Sequence, residues 1–367
     1  MNTQRWRMLL TLAFAVWITA GCETGTEPKD GPAFDAEAAL EDYQALDAVL
    51  GSPTMDGFRA LAQGVTLASF GEEVGFAAGV ASELDLLRRP SGPRPFAARL
   101  AKLASGAGGV RSLNPIISSF RRGKTFVYDP SLGRYVMDPN AEGAPDTGVR
   151  FLLYEPGLGG KPDTEREIGY ADLIDEGDGS PEEIALRLMV VRDEVTILDY
   201  RTTVDILTRG GKVTVDGYLQ GEFDRLDFDI QVMGASDEDG DSVDISFEMG
   251  IATRDFLISG SVRGVDGDSG EGGEVSLLVR AGRDSFSIEA SGSADDIEGT
   301  FRLNGELFAT VVGNPDSPTI KGRDGGDLTW AETLVLRQIL DSTEDVFDLF
   351  EDLMDPVDEL VIIALIL

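Results

Sequence analysis

From Lys124 onward the chain alternates apolar and polar residues with a period of two, the pattern of strands that bury one face. Phe126-Val127-Tyr128 and Arg134-Tyr135-Val136-Met137 flank Asp129-Pro130-Ser131-Leu132-Gly133, a turn signal that predicts a hairpin. Further strands are expected at 149–154, 167–174, 184–191, 195–207, 212–221, 226–234, 243–251, 256–264, 275–281, 285–292, 297–303 and 306–312. The short connections between them predict antiparallel neighbours, because a parallel crossover takes a dozen or more residues. The alternation also assigns faces. Phe228, Ile230 and Val232 point one way, and Asp227, Asp229 and Gln231 the other. Ile245, Phe247 and Met249 oppose Asp244, Ser246 and Glu248, and Phe286 and Ile288 oppose Ser285, Ser287 and Glu289. One face is wet and the other needs cover.

Helical periodicity flanks this region. Ala39, Leu40, Tyr43, Leu46, Val49 and Leu50 predict a helix over 35–50 that Gly51-Ser52-Pro53 stops. Phe58, Leu61, Ala62 and Val65 predict a second, and 96–104 a short third. Near the other end Thr329 and Glu332 form a capping box for a helix over 330–340. Val346, Leu349, Phe350, Leu353 and Met354 predict another before Pro356. The expected fold class is α+β. A helical region over 34–110 precedes a long antiparallel up-and-down β-meander over 124–313, and helices over 327–367 pack on its apolar face.

Composition narrows the chemistry. The 367 residues carry 66 acids against 31 lysines and arginines, a net charge of −35. Such a chain repels a nucleic-acid backbone, so no nucleic-acid partner is expected. It has no histidine, which removes the imidazole base and the histidine metal ligand. A single cysteine permits neither an internal disulfide nor a thiolate zinc cluster.

That cysteine has a telling place. Arg5 and Arg7 precede an apolar stretch, Met8 to Ala20, which is too short to span a bilayer. It ends Thr19-Ala20-Gly21-Cys22. Small residues before a lone cysteine resemble the lipobox of bacterial lipoproteins, with Thr19 in place of the usual leucine. The resemblance covers residues 1–22 and implies a signal peptide over 1–21, cleaved before Cys22, whose thiol is then lipidated. Residues 22–33 follow as a polar tether. Glu23 after the cysteine implies, by the same resemblance, the periplasmic face of the outer membrane. The partner so implied is the membrane itself, through the lipid.

Candidate binding chemistry gathers at one end of the meander. The connections 235–242, 265–274 and 293–296 hold Asp237, Glu238, Asp239, Asp241, Asp266, Asp268, Glu271, Glu274, Asp295 and Asp296. A carboxylate rim suits a hard cation, calcium above all, with Asp237, Asp239, Asp241, Asp266 and Asp268 as candidate ligands. Asp237, Asp239 and Asp241 also match the start of a twelve-residue calcium loop, with Glu248 at its last position and Ser242 where glycine belongs. No other cofactor is implied. Gly123-Lys124-Thr125 mimics the end of a phosphate loop, but Ser118 replaces its first glycine and a strand follows. No serine-nucleophile template is present.

The chain is therefore expected to be no enzyme, but a lipid-anchored envelope protein with a binding or structural role. Its partner is a hydrophobic ligand or another envelope protein. In outline, a curved sheet closed by helices on a lipoprotein resembles the lipid-handling proteins of the LolA/LolB type. A calcium-dependent interaction module is the first alternative. A hydrolase built on two carboxylates about 5–9.5 Å apart is the second.

Overall fold

The structure is a computed structural model that describes residues 117, 119–157, 161–177, 183–207, 210–221, 224–237, 240–267, 270–293, 295–314, 317–330, 332–333 and 336–337. The signal segment 1–21, the tether 22–33, the helical region expected over 34–110 and most of 327–367 lie outside them. Fifteen strands form one sheet: β1 Lys124–Asp129, β2 Arg134–Asp138, β3 Gly148–Pro156, β4 Pro162–Asp175, β5 Glu183–Arg192, β6 Val195–Leu207, β7 Gly210–Gln220, β8 Arg225–Asp237, β9 Gly240–Ile251, β10 Phe256–Gly267, β11 Gly270–Ala281, β12 Asp284–Ser293, β13 Ile297–Leu303, β14 Glu306–Gly313 and β15 Thr319–Gly322. From β3 to β15 spatial order follows chain order, an up-and-down antiparallel meander. The described residues form two compact units, one reaching Asp229 and one beginning at Ile230.

The expected up-and-down antiparallel meander is present, and three points qualify it. First, the helices expected to cover it fall almost wholly on residues outside those described. Among the described residues helix is confined to one 3-10 turn, Ala252–Arg254, and to helical positions within 330–337. The capping box is formed there: Thr329 Oγ1 accepts from Glu332 N at 3.2 Å, and Glu332 Oε2 accepts from Thr329 N at 2.8 Å. Leu336 on that turn is fully buried. Second, β1 lies between β2 and β3 and pairs in parallel with β3, Phe126 opposite Phe151. The parallel pair is permitted because everything from Pro130 to Thr147, β2 included, serves as its crossover. Third, the acidic connections 235–242 and 265–274 are mostly strand. β8 runs to Asp237, β9 begins at Gly240, β10 reaches Gly267 and β11 begins at Gly270. Neighbouring strands supply the hydrogen bonds that these Gly- and Asp-rich residues would not secure by propensity.

The expected faces hold. Phe228, Ile230, Val232, Phe247, Met249, Phe286 and Ile288 are buried, while Asp227, Asp229, Ser246, Glu248 and Glu289 are exposed. In the first unit Val149, Phe151, Leu173, Leu188, Val190, Leu198 and Leu219 pack as successive cross-strand rows, and Phe151 stacks on Phe126 at 5.1 Å between ring centres. In the second, Met249, Ile258, Val279, Phe286 and Leu303 form one such row. Phe286 stacks on Phe301 at 6.4 Å.

The two-residue turns contrast in their strain. Asn304-Gly305 joins β13 to β14 with both φ positive, the geometry for which Asn-Gly is preferred. Asp193-Glu194 joins β5 to β6 with φ of 47° and 67°, so an acid with a β-carbon occupies a left-handed site better suited to glycine. Glu194→Gly is expected to raise stability by about 0.5–1 kcal/mol, read as a higher urea midpoint at unchanged m-value.

Candidate functional site

The acidic end comes first because the sequence singled it out. Backbone register places Asp241 of β9 opposite Asp266 of β10, and Asp266 opposite Glu271 of β11. Three acids thus share one cross-strand row of the backbone register. Asp237 is the last residue of β8. Asp239 and Asp268 lie outside the described residues. Glu248, however, cannot close a calcium loop with Asp241. Seven residue steps along extended β9 separate them, about 24 Å of strand, and Glu248 is paired in register with Ser259. The twelve-residue loop is overturned by the continuity of β9. Among the described residues no group of three or more acids is placed to hold a metal ion.

A different charged constellation occupies the polar face of β3–β7. Arg150 of β3 reaches Asp172 of β4 with two hydrogen bonds, Nε to Oδ1 and Nη2 to Oδ2, both 2.7 Å. The Asp172 side chain is 4% exposed, and the Arg150 guanidinium also lies 3.5 Å over the Tyr170 ring. Arg187 of β5 makes the same two-pronged contact to Asp199 of β6, again at 2.7 Å. Glu176, just past β4, bridges two arginines: its carboxylate is 3.7 Å from Arg187 Nη1 and 3.1 Å from Arg201 Nε. Arg187 and Arg201 are themselves directly opposite in register, so Glu176 offsets a like-charge pair. At the end of β4, Asp175 accepts from Arg122 Nη2 at 2.9 Å and from Gly177 N at 3.1 Å. Arg122 Nε donates to Ile117 O, which ties the approach to β1 onto the sheet.

The electrostatics follow from burial and pairing. Burial pushes the Asp172 carboxyl above its ordinary value, against the opposing hydrogen bonds and charge of Arg150. The Asp172 hydrogen bond holds Arg150 above the ordinary arginine range, and Asp199 does the same for Arg187. Burial also raises the Tyr135 phenol, whose hydroxyl donates to Leu152 O at 2.8 Å. Both forks place guanidinium planes against carboxylates, a geometry that fixes neighbouring strands in register.

None of these arginine partners was singled out from the sequence. Arg150 and Asp172 are 22 residues apart, and only the β3/β4 register brings them together. The candidate lipidation residue, Cys22, lies outside the described residues. The fold and charged face of the described residues together define a class, an antiparallel up-and-down β-meander laced by cross-strand ion pairs. No family model, no curated protein and no solved structure matches the chain.

Proposed function

We propose that this is a lipid-anchored, non-catalytic protein of the bacterial envelope, held at the outer membrane through Cys22, with a structural or protein-binding role. The observation that carries the body's part of this reading is the packing of the meander's apolar face. Phe151, Leu153, Leu173, Leu188, Leu198, Leu219, Leu226 and Ile230 are each less than 2% exposed or close to it. Side chains so enclosed abut other atoms rather than a water-sized void, which favours a filled core over a lipid-carrying cavity. The charged face supports the same reading, since Asp172 and Asp199 are engaged by arginines in register-fixing forks and Asp175 and Glu176 are also paired with arginines. The lipobox resemblance supports the anchor, and two or three acyl chains would hold the protein stably.

Expression of the full chain in a bacterial host with labelled palmitate tests the anchor. Wild type is expected to take up label and partition into detergent, while Cys22→Ser is expected to do neither. Equal labelling of the two would remove the lipoprotein reading. Native mass spectrometry of gently extracted protein separates scaffold from carrier. A mass with no bound lipid beyond the anchor supports the scaffold, and a stoichiometric extra lipid would establish the carrier instead.

A further inference from the structure

The returning strands β7, β9 and β11 begin at Gly210, Gly240 and Gly270, each thirty residues after the one before. Their partners β6, β8 and β10 end at Leu207, Asp237 and Gly267, again thirty apart, so two residues separate the strands in every case. Register repeats as well. Leu207 pairs with Gly210 and Leu198 with Leu219 in the first hairpin; Gly267 pairs with Gly270 and Ile258 with Val279 in the third. The buried face keeps step: Leu198, Phe228 and Ile258 are equivalent, as are Leu219, Met249 and Val279, and all six are buried. We infer that residues 196–285 are three copies of one thirty-residue hairpin module, Thr196–Arg225, Leu226–Asp255 and Phe256–Ser285, and that the sheet can be lengthened by whole modules.

The physical basis is the period of the strand. A side chain returns to the same face every two residues, so an even-numbered insertion spanning one out-and-back hairpin restores both register and face. Thirty residues meet both conditions here because β9 pairs with β10 as Ile251 with Phe256, Met249 with Ile258 and Phe247 with Gly260. A second copy of Leu226–Asp255 placed after Asp255 would present Leu226, Phe228 and Ile230 at those positions. Apolar residues would meet apolar residues along the new seam, and both native seams of the copied module would be kept. Gly260 would face the Phe247 of the new copy, whereas the parent Phe247 would meet Ile230 and its ring must turn aside there, since a β-carbon at the position of Gly260 comes within 2.7 Å of that ring. Each module adds two strands, about 10 Å of sheet width. Module number would then set the span of the scaffold, a consequence that rests on the structural role proposed above, whereas the modularity itself does not.

The test duplicates Leu226–Asp255 in the full chain. A control carries the same duplication with the copied Phe247 deleted, which turns the rest of that strand onto the wrong face. The intact duplication is expected to unfold in one cooperative thermal transition within about 5 °C of the parent, with the new copy protected from amide exchange. The control is expected to melt at least about 10 °C lower or to aggregate. Equal melting of the two duplications, or an intact copy that exchanges freely as an extruded loop, would overturn the module. So would insolubility of the intact duplication alone. The outcome is independent of palmitate labelling at Cys22, so failure of the module and failure of the anchor are distinguishable.

Discussion

Arg150→Ala is expected to destabilise the protein by about 3–5 kcal/mol at neutral pH, the cost of stranding a buried carboxylate without its partner. The Asp172 side chain is 4% exposed, and both of its oxygens are occupied by Arg150. Alanine leaves that charge among Met189, Tyr170 and the strand backbone with no donor of equal strength. The pair replaced as a whole, Arg150→Met with Asp172→Leu, is expected to lose far less, because no ion is then left in low dielectric. The pH dependence has a definite sign. Asp172 already titrates above its ordinary value because burial outweighs Arg150. A carboxyl raised in the folded state contributes stability that is present below its unfolded pKa and is lost as pH rises through the folded one. Removing Arg150 deletes the opposing effect and pushes the carboxyl higher still. The deficit of the single variant is therefore greatest near pH 7 and shrinks as the pH falls through the carboxylate range. Urea unfolding at about pH 7 and about pH 4.5 measures both, and a deficit equal at the two would show that Asp172 stays ionised without its partner.

Much of the meander was legible because its strands carry their own signal. The expected bounds 195–207 and 297–303 coincide with β6 and β13, and the alternation through Phe228, Ile230 and Val232 sorted the faces correctly. What was missed depends on neighbours rather than on local sequence. Gly240 to Asp241 and Asp266 to Gly267 are strand because flanking strands pair with them, whereas Gly and Asp are depleted in strands by propensity. The parallel seating of β1 beside β3 is a choice of topology that no single segment encodes. The arginine forks are register phenomena of the same kind. Asp172 in the sequence is one acid on an alternating strand, and nothing local separates it from exposed Asp227. The twelve-residue loop failed for the converse reason: Asp237, Asp239 and Asp241 match its start, but β9 runs straight on to Glu248.

Glycine supplies the second large effect, again invisible without register. Gly217 of β7 sits opposite Tyr200 of β6, and a β-carbon there would fall 2.3 Å from both the Asp199 carbonyl oxygen and Tyr200 Cβ. Neither neighbour can yield cheaply. One is backbone inside a paired strand, and the other is the root of a buried tyrosine that packs on Phe228 at 6.2 Å between ring centres. Gly217→Ala is expected to cost about 3 kcal/mol or more, at the upper end of overpacking losses, because the strand itself must move. Gly305→Ala provides the comparison. Its φ of +80° strains any other residue, yet a β-carbon there meets nothing within 4 Å, so the loss is expected to stay at about 1–2 kcal/mol. The two substitutions are chemically identical, and the difference between them isolates the close approach of β6 and β7 from conformational preference. Matched urea titrations decide it. If Gly217→Ala costs no more than Gly305→Ala, Tyr200 and Asp199 have room to withdraw, and the β6–β7 seam is looser than its geometry implies.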